Sequence, residues 1–259
     1  MDKVYEHIEV TIDGQLGFIT LNRPQVLNAL NRQMVSEILF AMECFERDEH
    51  IRVIILSGKG RAFAAGADIA EMANDHAVDF EIRNQFKDWD RLAMIKKPII
   101  AAVHGFVLGG GFELALCCDL LLAAEDTEFG FPEVNLGVMP GAGGTQRLTK
   151  LVGKTKAMEW LLTGERFSAQ DAYQFEIVNR LVEQEVLMEE TIKLAKQMAE
   201  KAPLAVRLIK ESVLKAIDSP INEGMHFERK NFYLLFASED QKEGMKAFQE
   251  KRKPNFKGK

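Results

Sequence analysis

Three short, unbroken apolar runs constrain this chain more than any other feature. Arg52-Val53-Ile54-Ile55-Leu56 ends at Ser57-Gly58, and Pro98-Ile99-Ile100-Ala101-Ala102-Val103 leads toward Gly109-Gly110-Gly111. Asp119-Leu120-Leu121-Leu122-Ala123-Ala124 follows a helical stretch that reaches Cys118. Runs of this length without alternation suit strands covered on both faces. Helical patterns separate them, from about Val78 to Ile95 and again after Gly111. Strand–helix–strand–helix–strand predicts an α/β fold with parallel pairing and right-handed crossovers.

Upstream, Ile8 to Ile12 and Leu16 to Leu21 read as two strands joined at Asp13-Gly14, the second stopped by Asn22-Arg23-Pro24. From Asn31 to about Glu46, the residues Met34, Val35, Ile38, Leu39, Met42 and Phe45 recur at helical steps. Beyond Gly141 the pattern is almost all helical, with one short strand candidate near Ile177 to Val182. Ser168 starts one helix, Glu185 to Lys201 forms another, and Pro203 opens a third at its first turn. Ser238, with Gln241 three residues on, predicts a capping box for a last helix through Glu250. The expected organisation is a core over residues 1–190 and a helical part over 191–259.

A net charge of −6 and a pI near 5.5 argue against nucleic acid as a partner, which would demand a basic face. They leave room for an anionic small ligand held by a few local cations. Cys44, Cys117 and Cys118 make no disulfide framework and read as packed, reduced thiols. The histidines are scattered and share no metal-ligand spacing with the cysteines, so no metal site is expected. No apolar run reaches membrane-spanning length and the first residues have no leader-like pattern, so the expected setting is a reducing cytoplasm without membrane contact.

Among the glycine clusters, Gly141-Ala142-Gly143-Gly144-Thr145-Gln146 begins like a dinucleotide fingerprint. Gln146, however, stands where the third glycine belongs and Pro140 precedes the cluster, so it reads as a helix-start turn. Gly109-Gly110-Gly111 lies between a buried strand and a helix. A tight turn accounts for it, and so does a Gly110 N–H presented to a ligand oxygen. The small-residue loop Ala64 to Asp68 also follows a buried strand directly. Ligands of open α/β sheets bind beyond the carboxyl ends of the strands. Neighbouring loops there would place the N–H groups of Ala67 and Gly110 on one rim as an oxyanion hole, where each donor is worth about 3–4 kcal/mol in the transition state. Glu113 follows Gly110 within one helical turn, and Glu133 follows Phe131-Pro132. Either glutamate alone fits a structural role; paired in an apolar cleft they could hold different protonation states. Lys251-Arg252-Lys253, with Lys257 and Lys259, fits a solvated tail or a phosphate contact, and Lys59 and Arg61 are phosphate candidates of similar standing. His104 reads as packed or hydrogen-bonded.

In this order and spacing, several segments resemble the crotonase (enoyl-CoA hydratase/isomerase) superfamily. They include Leu21-Asn22-Arg23-Pro24 with Asn28-Ala29-Leu30, Ala62 to Asp68, and Lys97-Pro98 leading to Gly109-Gly110-Gly111-Phe112-Glu113. Phe129-Gly130-Phe131-Pro132-Glu133, Pro140 to Leu148, Glu243-Gly244, Ala247-Phe248 and Glu250-Lys251-Arg252 complete the set. The resemblance implies a spiral of ββα units, with C-terminal helices that close the acyl pocket and form a trimer contact within a hexamer of two trimers. It implies Ala67 and Gly110 as oxyanion donors and Glu113 and Glu133 as catalytic acids. It places coenzyme A along Ala64, Ala65, Gly66, Asp68, Ile69 and Ala70, with Arg61 and Lys251 toward its phosphates. Hydratases of the family keep both glutamates, which implies addition of water to an enoyl-CoA thioester in fatty-acid metabolism, with no cofactor beyond the coenzyme A of the substrate. The rival activities are double-bond isomerisation and, in a different class, RNA contact or assembly on the same fold. Two departures stand out. Ala70 replaces a lysine that some relatives carry, and Glu176 replaces a glycine at a helix end, where a left-handed backbone would be mildly strained.

Overall fold

A computed structural model describes residues 4–259. In chain order the strands are β1 (Ile8–Asp13), β2 (Leu16–Leu21), β3 (Val53–Gly58), β4 (Ile99–Val103), β5 (Phe106–Leu108), β6 (Leu120–Ala124), β7 (Glu128–Gly130), β8 (Arg166–Ser168) and β9 (Arg180–Val182). The helices of the first half are α1 (Arg32–Arg47), α2 (Ile69–Met72), α3 (Ala77–Arg83), α4 (Lys87–Leu92) and α5 (Gly110–Leu116). They are followed by α6 (Gly144–Thr163), α7 (Ala169–Gln174), α8 (Leu187–Ala199), α9 (Pro203–Asp218), α10 (Ile221–Leu235) and α11 (Glu239–Gln249).

The larger sheet has the order β1-β2-β3-β4-β6-β9, parallel throughout except for the β1–β2 hairpin. A smaller sheet has the order β5-β7-β8. Successive turns of the chain give a strand to the larger sheet, a short strand to the smaller one, and then a helix: β4-β5-α5, then β6-β7-α6. This is the expected spiral of ββα units. The three apolar runs are its central strands, and alternate residues feed two different cores. Ile54, Leu56, Ala101, Val103, Leu121 and Ala123 face the cluster that holds Met34, Ile38, Met42 and Phe45 of α1. Val53, Ile55, Ile100, Ala102, Leu122 and Ala124 face Leu187, Ala195 and Ala199 of α8. Both faces are covered, so the strands show no polar alternation.

Several elements depart from the sequence reading. The helix expected over 78–95 is two helices, α3 and α4, parted at Asn84, whose φ of 45° is left-handed. Strands β5, β7 and β8 have three residues each, too few for a periodicity to register. Ser238 does cap α11 by accepting the Gln241 N–H, but the Gln241 amide turns to Met245, so the capping box is half formed. Glu176 has φ 60°, the left-handed backbone that its family-glycine position implied. Helix α8 straddles the expected division at residue 190 and packs against β2, β3, β4 and β6, so the helices outside the core layers begin at α9. Arg207 of α9 pairs with Glu46, and Lys210 reaches Asp119 and the Lys97 carbonyl, docking α9 on the core. Among the described residues no helix is long and apolar enough to cross a membrane.

The tightest packing lies between two loops at the carboxyl ends of β3 and β4. A Cβ on Gly111 would stand 2.2 Å from the Ala64 carbonyl oxygen and 2.6 Å from the Ala64 Cβ, and neither is free to yield. Gly111→Ala is therefore expected to cost about 1–3 kcal/mol through overpacking. A thermal midpoint equal to that of the unaltered protein would contradict this packing.

Candidate active site

Parallel pairing of β3 with β4 sends the two following loops out side by side. They are zipped further by Ala64, whose N–H donates to the Phe106 carbonyl (3.1 Å) and whose carbonyl accepts from Leu108 N–H (3.0 Å). Just past this bridge lie Ala67 on one loop and Gly110 on the other. The site of a Cβ on Gly110 is 3.5 Å from the Ala67 nitrogen. Neither N–H donates to an acceptor among the described residues. Gly110 opens α5, where a first-turn N–H has no helical acceptor. Ala67 lies between neighbours that are tied elsewhere, with Gly66 O accepting from Leu30 N–H and Asp68 N–H donating to Leu30 O. Two unpaired donors thus share one rim.

Glu113 sits in the first turn of α5, 4% exposed. Its Oε1 accepts from the N–H of Ala142 (2.7 Å) and of Gly144 (2.8 Å). The glycine cluster that reads as a helix-start turn does begin α6, and it also anchors a carboxylate, which the sequence did not signal. Both donors use the same oxygen, so the pair leaves Oε2 for another partner. Glu133 lies in the turn over Pro132–Leu136 that follows β7. Its Oε1 lies 2.9 Å from where a Cβ on Gly109 would stand, and Gly109 has φ 49°, a positive value that favours glycine. Its Oε2 is buried without a protein partner.

Burial raises the pKa of Glu113, and the two backbone donors together with the Arg147 charge oppose the rise. Burial pushes Glu133 up to about 7, with the Glu113 charge adding to it. The two carboxyls therefore differ in surroundings: Glu113 has backbone donors that favour its charge, and Glu133 has an unpartnered oxygen and a pKa pushed up to about 7. Such a pair, beside two backbone donors, can pass protons at two neighbouring atoms of a ligand whose carbonyl is held on the rim.

Of the residues next to Ala67 in the chain, Ala64 and Gly66 are buried, Ala65 and Asp68 half-buried, and Ile69 and Ala70 exposed. Arg61 is exposed and, among the described residues, has no ion-pair partner, whereas Lys59 is engaged by Glu9. Lys251 is not brought to the rim within the chain. Arg252 is bound by Glu243 and Glu250, Lys253 reaches Glu200, and the tail beyond is held where Arg52 donates to Phe256 O, at the amino end of β3. His104 Nε2 donates to the Gly60 carbonyl (2.9 Å). Cys117 and Cys118 are free, with burial pushing the Cys117 thiol up to about 11. The described residues hold no cluster of metal-ligating side chains.

The model of a family described as enoyl-CoA hydratase/isomerase matches residues 11–259. A solved structure from Geobacillus kaustophilus HTA426, named enoyl-CoA hydrates subunit I, superimposes with a TM-score of 0.97 at 65% identity, covering 98% of this chain and 99% of that one. The mitochondrial enoyl-CoA hydratase of Pongo abelii is 49% identical over 95% of this chain and 84% of its own length. A crotonyl-CoA hydratase from Syntrophomonas wolfei is 43% identical over 97% of this chain and 98% of its own.

The Glu133 pKa carries a stability consequence. A carboxyl raised from 4.5 to about 7 on folding contributes stability below the lower value, and that contribution is lost as pH rises through the upper one. Glu133→Gln, neutral at every pH, should therefore raise the thermal midpoint at pH 8 and change it little at pH 5. A shift of equal size at both pH values would refute the raised pKa.

Proposed function

The chain belongs to the enoyl-CoA hydratase/isomerase family, and we propose that within it Glu113 and Glu133 add water across the 2-trans double bond of short- to medium-chain enoyl-CoA thioesters, giving 3-hydroxyacyl-CoA. One observation carries the residue roles: two unpaired backbone N–H groups share a rim, with one carboxyl held by two backbone donors and another left unpartnered at Oε2 close by.

The thioester oxygen lies between the Ala67 and Gly110 N–H groups. Glu113, ionised and held at Oε1, accepts a proton from water at its other oxygen as the water oxygen bonds to C3. The C2–C3 π electrons move toward the carbonyl, and the enolate oxygen takes the charge where the two donors stand. Glu133 delivers its proton to C2. Its unpartnered Oε2 and a pKa of about 7 suit a donor working near neutrality. Both carboxyls border the same cleft, which favours addition of the two fragments to one face. Return of the proton from Glu113 to Glu133 through solvent restores both carboxyls and closes the balance with one water, so the reaction as written consumes no cofactor, and coenzyme A enters as part of the substrate. Arg61, exposed and without an ion-pair partner among the described residues, is the cation assigned to its phosphates.

Assembly as a hexamer of two trimers is supported by α9 and α10. Helix α10 makes its main contacts with α9 alone and leaves Ile221, Phe232, Tyr233 and Phe236 exposed, an apolar face suited to a second copy. The free thiols fit a reducing cytoplasm. Light scattering is expected to return a hexameric mass; a monomer at micromolar concentration would refute the assembly.

Glu113→Gln and Glu133→Gln should each lower kcat for crotonyl-CoA hydration by about 10²–10⁴-fold, followed as loss of enoyl absorbance. A Glu133→Gln protein that hydrates at near its normal rate would sink the assignment. In the unaltered enzyme, kcat/KM for hydration should fall as pH rises past about 7, as Glu133 loses its proton.

A further inference from the structure

The loop that offers the Ala67 N–H has almost no side-chain bulk of its own, so its position must be set from outside. The segment 23–30 does this from one side. Asn28 is fully buried and uses its whole amide: Oδ1 accepts from Arg23 N–H (2.8 Å), and Nδ2 donates to the carbonyls of Lys59 (3.0 Å) and Ala62 (2.8 Å). Those two carbonyls bracket the start of the loop. Arg23, mostly buried, spreads its guanidinium over the far end, with Nη1 donating to Ala29 O (2.6 Å) and Nη2 to Asp68 Oδ2 (3.0 Å). Leu27 and Asn28 both have left-handed backbones, φ 52° and 55°. Non-glycine residues adopt that conformation in succession only where the surroundings enforce it. Here it turns the Leu27 carbonyl onto Ala65 N–H (3.0 Å) and leads into the Leu30 pairs with Gly66 and Asp68. Of the peptide groups around Ala67, those on both sides are tied to residues 27–30, and the Ala67 N–H is left over.

We propose that Asn28 and Arg23 are positioning residues for hydration. They act through the loop on the Ala67 N–H and touch no reacting atom. The proposal rests on the hydratase reading above. Its physical basis is that a donor assists only when it stands where the oxyanion will form, and a displacement near 1 Å can cost about 10²-fold.

The test uses the full-length protein with three variants. Asn28→Gly keeps the left-handed backbone and removes all three amide contacts. Arg23→Lys keeps the charge and loses the fork, and Gln25→Ala, exposed on the same turn, is the control. Two readouts are taken: kcat and KM on crotonyl-CoA, and the carbonyl stretch of bound butanoyl-CoA labelled with ¹³C at the thioester, a saturated analogue that cannot be hydrated. The expected result is a fall in kcat of about 10- to 100-fold for Asn28→Gly and less for Arg23→Lys, with KM within about threefold. The downshift of the carbonyl stretch on binding should shrink in parallel, and Gln25→Ala should change neither. Variants that melt lower yet keep kcat and the carbonyl shift would make the clamp merely structural and overturn the proposal. If Asn28→Gly does not fold, Arg23→Lys decides the matter on the same readouts. An unaltered protein that failed to hydrate crotonyl-CoA would overturn the hydratase reading itself, a result distinct from normal hydration in every variant.

Discussion

The peptide unit of Ala64 is where the two halves of the site are joined. Its N–H and carbonyl bridge to Phe106 and Leu108, and the same carbonyl fills the space that a side chain on Gly111 would need. That contact fixes the loop after β3 against the start of α5 with no adjustable side chain between them. Everything downstream depends on it: the adjacency of the Ala67 and Gly110 donors, the entry angle of α5, and the placement of Glu113 one turn on. Backbone-to-backbone contact is a stiff way to hold two donors, because neither rotamers nor side-chain entropy enter.

The two glutamates show how one cleft makes two different acids. Both are desolvated, and desolvation alone would push both toward the neutral form. Glu113 is given two backbone donors on one oxygen and the influence of Arg147, each favouring its charge. Glu133 receives no donor at Oε2 and feels the Glu113 charge, so its proton is retained to about pH 7. The difference comes from the loop 141–144, which reaches Glu113 and not Glu133. A segment that reads as no more than a helix start therefore gives the two carboxyls different surroundings.

Much of the fold was legible in the sequence because its signals are local. The three apolar runs, the α1 stripe from Met34 to Phe45, the Ser168 and Ser238 caps and the Pro203 start each express themselves within a few residues. The three-residue strands β5, β7 and β8 were not legible, since their only reason to exist is pairing with one another, β7 at the centre, between residues 22 to 40 positions apart in the chain. The break at Asn84 and the packing of α8 onto the main sheet were hidden for the same reason.

For the site, the sequence by itself determined which residue types are present in which order: small residues after the first two buried strands, an acid one turn past Gly110, and a second acid after Phe131-Pro132. That order made Ala67, Gly110, Glu113 and Glu133 candidates, and the resemblance to the family assigned them roles. Only the tertiary structure decided that two N–H groups are left unpaired beside one another, that Ala142 and Gly144 hold one carboxylate, and that Asn28 and Arg23 brace the loop from a segment about forty residues upstream. Hydrogen-bond satisfaction is a property of the whole fold. Whether a given N–H has an acceptor depends on every segment that could come near it, and no local pattern encodes that.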